Sequence, residues 1–376
     1  MLPSRVSWSD WGRMFTETSL WESPIRHVLS GLGFLVHSIE AGYPGTSAVF
    51  RVRCDSSNRP ENRCLIVKFY PPMAHRDFVA EESVYRALSP SSPLPIPKLV
   101  AAGTLHDAID WPYLVLEESR GTAVRDLRDE LTPEDLADIA EQVGVHLRAL
   151  HNTDRTLVPE LNRSVDEWKA WATSRLEAVP EELAGICGPD GTPYLPVSTL
   201  EELEAFLRST GLEIIASITE GDLSLIHGDV TEDHVLVVPE EAGGNRRYRV
   251  ETIFDFGDSE VAPVFYEWIP VWFSLLRQDR RAFAALLRGY RRSPARGFSG
   301  GTVFALGELS DGSECPGVET SGRNGTSRFT QRDVLLTYTF IHRFSAAIIR
   351  EKLIQENVPP GKPKSLRDLA DILWPH

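Results

Sequence analysis

At 376 residues the chain exceeds what one hydrophobic core usually organises, so two lobes are expected. Its formal net charge of −15 argues against a general nucleic-acid binder and would favour cationic small molecules. Cys54, Cys64, Cys187 and Cys315 show neither metal-ligand spacing nor a dense disulfide pattern, and the Trp-rich polar segment after Met1 is not an apolar signal region; both features fit a reducing cytoplasm.

The first half reads as strands. Val36 to Ile39 and Ala48 to Val52 flank Gly42-Tyr43-Pro44-Gly45-Thr46-Ser47, a flexible turn that could cover phosphates through Gly45 and Ser47, although two glycines in a hairpin are also simply a turn. Leu65 to Tyr70 is an apolar strand interrupted by Lys68. A buried ammonium costs several kcal/mol without a partner, so Lys68 calls for a partner, a ligand or a solvated edge. The following segment, Glu81 to Leu88, places Val84, Ala87 and Leu88 at helical spacing. Pro93, Pro95 and Pro97 end helical continuity, Lys98 to Ala102 resumes as a strand, and Trp111 to Glu118 forms another.

Helices come next. Thr132 to Asn152 carries Leu136, Ile139, Val143, Leu147 and Leu150 at spacings of three and four, capped by Thr132. Trp168 to Leu176 and Thr199 to Ile218 read as two more, separated by a loop holding Cys187, Gly188, Gly191 and Pro193. Asp166, Glu167, Glu177, Glu181 and Glu182 would meet a cationic acceptor or form a solvated face.

Two short strands, Leu223 to Ile226 and Val235 to Val238, then enclose the polar octet His227-Gly228-Asp229-Val230-Thr231-Glu232-Asp233-His234. A third strand, Tyr248 to Phe254, ends abruptly at Asp255-Phe256-Gly257-Asp258. Phosphoryl transfer needs an oriented hydroxyl, metal ions on the phosphate oxygens and a carboxylate beside the nucleophile; Asp229 suits the last task and Asp255 the metal. Beyond them, the aromatic segment Phe265 to Arg277 is too short to cross a bilayer and belongs to a core. Ser293 to Arg328 lacks usable periodicity and reads as a mobile insertion. Gln331 to Asn357 reads as one long amphipathic helix bearing His342 and Arg343, and Ser365 caps a last helix through Leu373.

His227, Gly228, Asp229, Asp255, Phe256 and Asp258 resemble the HGDxxxxN and DFxD patterns of the aminoglycoside phosphotransferase family, the small-molecule branch of the protein-kinase-like superfamily. The resemblance implies an α+β, protein-kinase-like two-lobed fold: an N-terminal antiparallel sheet lobe over 1–118 and a larger, mainly helical lobe over 119–376. It implies an ATP-dependent phosphotransferase acting on a small-molecule hydroxyl, with GTP as the other nucleotide. Lys68 would contact phosphates and pair with Glu81, or failing that Glu82; backbone groups around Glu117, Glu118 and Ser119 would meet the base. Acceptors in the family run from antibiotics such as aminoglycosides, with resistance as the consequence, to sugars and amino alcohols. Neither a nucleic acid nor a membrane partner is implied, and monomer and homodimer stay open.

This chain departs from the pattern in two places. Ser259 to Pro263 and Glu267 stand where the family usually has Gly-Asp-Pro and a later Asp, and His234 stands at the Asn position. Imidazole suits softer metals than Mg²⁺. His234 would join Asp255 on the metal, with Mn²⁺ tolerated, or bond a phosphate, or mark a nucleotide-binding pseudokinase without turnover. A protein kinase fits less well, because Gly228 replaces the Arg of His-Arg-Asp and no Ala-Pro-Glu follows.

Overall fold

A computed structural model describes residues 2, 6–42, 45–56, 59–88, 94–242, 245–292 and 329–375; the expected insertion at 293–328, with Cys315, lies outside them. The chain forms two compact units. The first comprises Met1–Asp129, Thr156–Leu161 and Asp233–Ser259, and the second Glu130–Arg155, Asn162–Glu232 and Glu260–His376.

The first unit is built on an antiparallel sheet of β1 (Phe34–Ala41), β2 (Ala48–Ser56), β3 (Arg59–Phe69), β4 (Leu99–His106) and β5 (Asp110–Glu117), in the order β1-β2-β3-β5-β4. Lys68 sits on β3 opposite Val49 of β2 and Leu114 of β5, so it is on an interior strand rather than an edge. The Trp-rich N-terminal segment, polar in composition, is helical: α1 (Trp8–Met14), capped by Ser7, and α2 (Thr18–Gly31). Trp11 and Trp21 are core, while Trp8 is exposed. Trp21 stacks on Phe69 at 4.8 Å and meets Trp111 edge-on at 5.5 Å, while the Trp11 indole donates to the Thr46 carbonyl at 2.7 Å. Aromatic pairs of this kind add about 0.5–1.5 kcal/mol each beyond area burial. Helix α3 (His75–Leu88) follows β3 and starts earlier than its apolar spacing indicates. A separate antiparallel ribbon of Thr122–Ala123, Val235–Ala242 and Asn245–Ile253 carries His234 and Asp255 at its ends. Gly121, at φ +112°, runs so close to this ribbon that a Cβ would sit 2.8 Å from the Val237 carbonyl oxygen.

In the second unit, capping boxes start α4 (Pro133–His151) at Thr132 and α5 (Val165–Ala184) at Ser164. Helices α6 (Val197–Phe206) and α7 (Leu212–Ser217) are joined by a π-turn over Leu207–Gly211, and Leu223–Ile226 pairs antiparallel with Glu260–Pro263. Helix α8 (Val264–Pro270) runs into a second π-turn at Val271–Leu275, followed by α9 (Arg280–Arg292). The single helix expected over 331–357 is two: α10 (Gln331–Ile341) and α11 (Ser345–Gln355). His342 turns extended at ψ 138°, and the freed amides find side-chain acceptors: Arg343 N–H donates to the Tyr266 hydroxyl at 3.0 Å, and Phe344 N–H to His342 Nδ1 at 3.3 Å. With neither Gly nor Pro there, the break is imposed by Tyr266, whose ring stacks on His342 at 4.5 Å. Ser365 caps α12 (Leu366–Leu373).

Candidate active site

In the first unit, β3 delivers Lys68 and α3 delivers Glu81 to one buried point. Lys68 Nζ donates to Glu81 Oε2 at 2.6 Å and to Asp255 Oδ1 at 2.8 Å, with Lys68 6% and Glu81 1% exposed. The ammonium therefore has two carboxylates, which is what makes its burial tolerable. Burial opposes its charge, but Asp255 and Glu81 outweigh that and hold the lysine above its ordinary pKa. Burial lifts Glu81 above the ordinary carboxylate value, against the pull of Lys68. Glu82 points elsewhere and pairs with Arg86 on the outer face of α3.

Tyrosines surround this group, and no spacing in the sequence announces them. The Tyr70 hydroxyl donates to Glu81, and the Tyr85 ring meets Phe256 edge-on at 5.5 Å. Asp255 itself is left-handed, φ 67° and ψ 65°. That conformation costs a non-glycine residue of order 1 kcal/mol or more, though Asp tolerates it better than most, and such strain concentrates at functional sites. His234 Nε2 lies 3.7 Å from Asp255 Oδ2, and the His234 carbonyl accepts the Phe254 N–H at 3.1 Å. Among the described residues no cluster of three or more His, Cys, Asp or Glu stands ready for a metal. Asp255 with His234 would supply two donors, which fits a cation whose remaining positions are filled by phosphate oxygens and water.

The other expected nucleotide contacts are placed less pointedly. Gly45 is exposed and Ser47 buried on the turn between β1 and β2, and Tyr43 and Pro44 lie outside the described residues. At the end of β5, Glu117 N–H donates to the Lys98 carbonyl at 2.9 Å and Glu118 N–H to that of Cys64 at 3.1 Å. The Glu117 side chain pairs with Lys98, and that of Glu118 with Arg51. Those two amides are committed within the sheet, and Ser119 follows them half-buried.

In the second unit, the catalytic-loop candidate leaves the strand at Ile226 and is gripped at once. Glu267 of α8, 0% exposed, accepts the His227 N–H at 2.6 Å and the Gly228 N–H at 3.1 Å. Gly228 turns at φ +80°, a conformation glycine adopts freely, and Asp229 N–H donates to His227 Nδ1 at 3.3 Å, leaving the carboxylate half-buried. His151, at the end of α4, is part of the same support: its Nε2 is 3.5 Å from Glu267 and its Nδ1 2.9 Å from the Tyr290 hydroxyl. Glu232, near the end of the octet, is held by Arg277, a pair that sequence spacing does not reveal. Of the five acids expected to await a cationic acceptor, Glu167 caps its own helix and Glu182 is tied to Arg175 at 2.5 and 2.8 Å; Asp166, Glu177 and Glu181 are exposed.

Buried His342 lies beside this loop, and burial, reinforced by the charge of Arg343, pushes its pKa down to about 3 against the pull of the Gly228 backbone. The folded protein therefore keeps it neutral while the unfolded chain protonates it near 6.5. Stability from this group is complete above about pH 6.5 and falls by up to about 1.4 kcal/mol per pH unit as pH drops toward its folded value. Urea unfolding at pH 7.5 and 5.0 should show a smaller acid loss for His342→Gln than for the wild type; equal losses would remove His342 as the cause.

Across residues 46–299 the chain matches the model of the phosphotransferase enzyme family. Among solved structures it is similar to the GDP complex of wild-type aminoglycoside 2'-phosphotransferase-IIIa, with 13% identity, a TM-score of 0.60, and 95% of this chain and 98% of that one covered. It is also similar to the GDP and kanamycin complex of APH(2")-IIia, with 16% identity, a TM-score of 0.50, and 72% and 86% covered. At such identities these two show the fold alone. A curated relative, the Lysine-specific demethylase JMJ21 of Arabidopsis thaliana, is 26% identical over 207 residues, covering 48% of this chain; the chain spans about a fifth, 21%, of that protein's length. No described helix is long and apolar enough to cross a membrane. The family match over most of the chain, on a protein-kinase-like α+β fold, places this protein in the aminoglycoside phosphotransferase family of kinase-like small-molecule phosphotransferases.

Proposed function

We propose that the protein transfers the γ-phosphoryl group of ATP, or of GTP, to a hydroxyl of a small molecule. The buried Lys68, bonded to both Glu81 and Asp255, carries the reading, since two carboxylates hold its ammonium in one place, where it would meet phosphate charge. Asp229 orients the acceptor hydroxyl and takes its proton. Lys68 meets the phosphates, Glu81 and Tyr70 hold Lys68 in place, and Gly45, Ser47 and the segment Glu117 to Ser119 contact the nucleotide. Asp255 and His234 would hold Mg²⁺ or Mn²⁺, which when bound neutralises charge on the phosphate oxygens. The residues do not favour a polycationic aminoglycoside over a sugar or amino alcohol, because the acids of α5 are partly engaged and partly dispersed. Antibiotic resistance belongs to this proposal as a family inference, and a cytoplasmic setting as the compartment that the cysteine pattern fits.

The test is a nucleoside-diphosphate release screen over antibiotics, sugars and amino alcohols, with ATP and GTP and with Mg²⁺ and Mn²⁺ in parallel. Acceptor-dependent release supports the proposal; nucleotide binding without turnover for any acceptor supports the pseudokinase reading that His234 raises. The same assay addresses the metal. His234→Asn should shift the ratio of Mn²⁺-supported to Mg²⁺-supported rate toward Mg²⁺, because an amide oxygen suits the harder ion better than imidazole does. An unchanged ratio would take His234 off the metal.

A further inference from the structure

The stretch His227 to Glu232, which carries Asp229, is held at both ends by one stretch of chain. Glu267 of α8 takes the His227 and Gly228 amides at its start. Just past the π-turn that extends α8, Arg277 grips Glu232 at its far end with two bonds, Nε to Oε2 at 3.0 Å and Nη2 to Oε1 at 2.7 Å. Glu232 is 8% exposed while the Arg277 side chain is 48% exposed, so this is a two-point guanidinium–carboxylate contact in which the carboxylate is buried and the arginine half-exposed. The backbone bringing Arg277 there is left-handed at two consecutive non-glycine residues, Arg277 at φ 46° and Gln278 at φ 62°. Strain of this sort persists only where the surroundings over-determine it. Here they do: Gln278 N–H donates to the Trp272 carbonyl at 2.8 Å, and its side-chain amide donates to the carbonyls of Ile372 and Leu373 at 3.2 and 2.6 Å, at the end of α12.

We infer that Arg277 and Glu232 are positioning residues for Asp229: the bidentate pair, braced through Gln278 by α12, fixes the far end of the loop whose near end Glu267 fixes. The inference rests on the proposed role of Asp229. Without the pair, the stretch after Gly228 would lose its hold at Glu232, ahead of Asp233, which pairs with Arg125 at 2.5 Å, and the Asp229 carboxylate would sample positions from which it cannot reach a hydroxyl. Small misplacement of such a group is expensive in rate, since a shift near 1 Å can cost about 100-fold. A lysine at 277 would keep the charge but not the fork, so it should restore only part of the effect.

The experiment compares wild type, Arg277→Gln, Arg277→Lys, Glu232→Gln and the double variant Arg277→Gln/Glu232→Gln. Turnover is followed as nucleotide hydrolysis without acceptor, and as transfer to any acceptor found. Loop order is followed by hydrogen–deuterium exchange of the amides of 228–232. Arg277→Gln and Glu232→Gln should each lower kcat about tenfold or more, with KM for nucleotide unchanged; Arg277→Lys should fall between; the double variant should be no worse than either single one, as for two halves of one contact. Exchange at 228–232 should rise in step. Wild-type kcat in Arg277→Gln, or additive losses in the double variant, would overturn the inference while leaving the phosphotransferase reading intact. If the wild type turns over no nucleotide, that reading fails by itself, and exchange then decides whether the pair orders the loop: increased exchange in Arg277→Gln upholds the positioning, and unchanged exchange overturns it.

Discussion

Asp229→Asn is expected to abolish most acceptor-dependent turnover, by about 10²–10⁴-fold, the usual contribution of a positioned proton acceptor. Asn matches Asp in size, and the backbone around position 229 is set by groups the substitution leaves alone: Glu267 on the amides of residues 227 and 228, and His227 Nδ1 on the amide of residue 229. The loop should therefore keep its shape and lose only the carboxylate. Nucleotide affinity should hold, because Lys68, Glu81 and Asp255 bond one another within the first unit, where nothing is changed. Calorimetric nucleotide binding beside diphosphate release checks both halves. A variant retaining more than a tenth of wild-type turnover would show that another group takes the proton. One that loses nucleotide binding would show that Asp229 supports the fold more than the chemistry.

The second large effect concerns stability. Helices α4 and α9 of the second unit approach backbone to backbone through two glycines. A Cβ at Gly289 would sit 1.8 Å from the Glu141 carbonyl oxygen, and one at Gly144 would sit 2.0 Å from that of Leu286. Neither obstacle is the end of a flexible side chain, so one added methyl must drive the helices apart and open the packing around Val143, Leu147 and Leu286, all essentially buried. Overpacking a core costs about 1–3 kcal/mol, and a clash with rigid backbone belongs at or above the top of that range. Gly289→Ala should accordingly lower the denaturant midpoint of the second unit by an amount equivalent to roughly 3 kcal/mol or more. Gly12→Ala in α1 is the matched control: nothing lies within 4 Å of its Cβ, and alanine there should be neutral or stabilising by up to about 1 kcal/mol. If both substitutions behave alike, helix–helix contact is not what demands glycine at 289.

What the sequence makes legible follows chemical cost. Lys68 stands out because charge inside an apolar strand needs a reason, and Asp229 and Asp255 stand out because apolar runs end on them. Thr132 and Ser365 declare helix starts through side chains that bond their own neighbourhood, and the structure places caps at both. What stays hidden depends on partners distant in the chain. The N-terminal helices look polar because much of their core contribution comes from Trp11 and Trp21, both buried, which join Trp111 of β5 in the sheet's core. The break at His342 has an uninterrupted helical pattern on either side and is decided by the Tyr266 hydroxyl, 77 residues from the amide it accepts. Arg277 and Glu232 are two ordinary charged residues 45 apart until the fold joins them. Tyr70 reads as the end of an apolar strand, and only the buried Glu81 beside it gives its hydroxyl a purpose.

The two bonds of Lys68 also set an order of events while the chain is being made. Glu81 is 13 residues downstream and can pair as soon as α3 forms; Asp255 is 187 residues downstream, within the late segment that completes the first unit. At about 5–20 residues per second of synthesis, the lysine spends roughly 10–40 s with one of its two carboxylates not yet made. Closing so long a loop adds only a logarithmic entropy cost, yet contacts this distant are the ones that slow folding. The sheet of the first unit can thus form early, but the Lys68 cluster is finished only once the ribbon ending at Asp255 has joined it, so the nucleotide competence proposed for it would be acquired late in biogenesis.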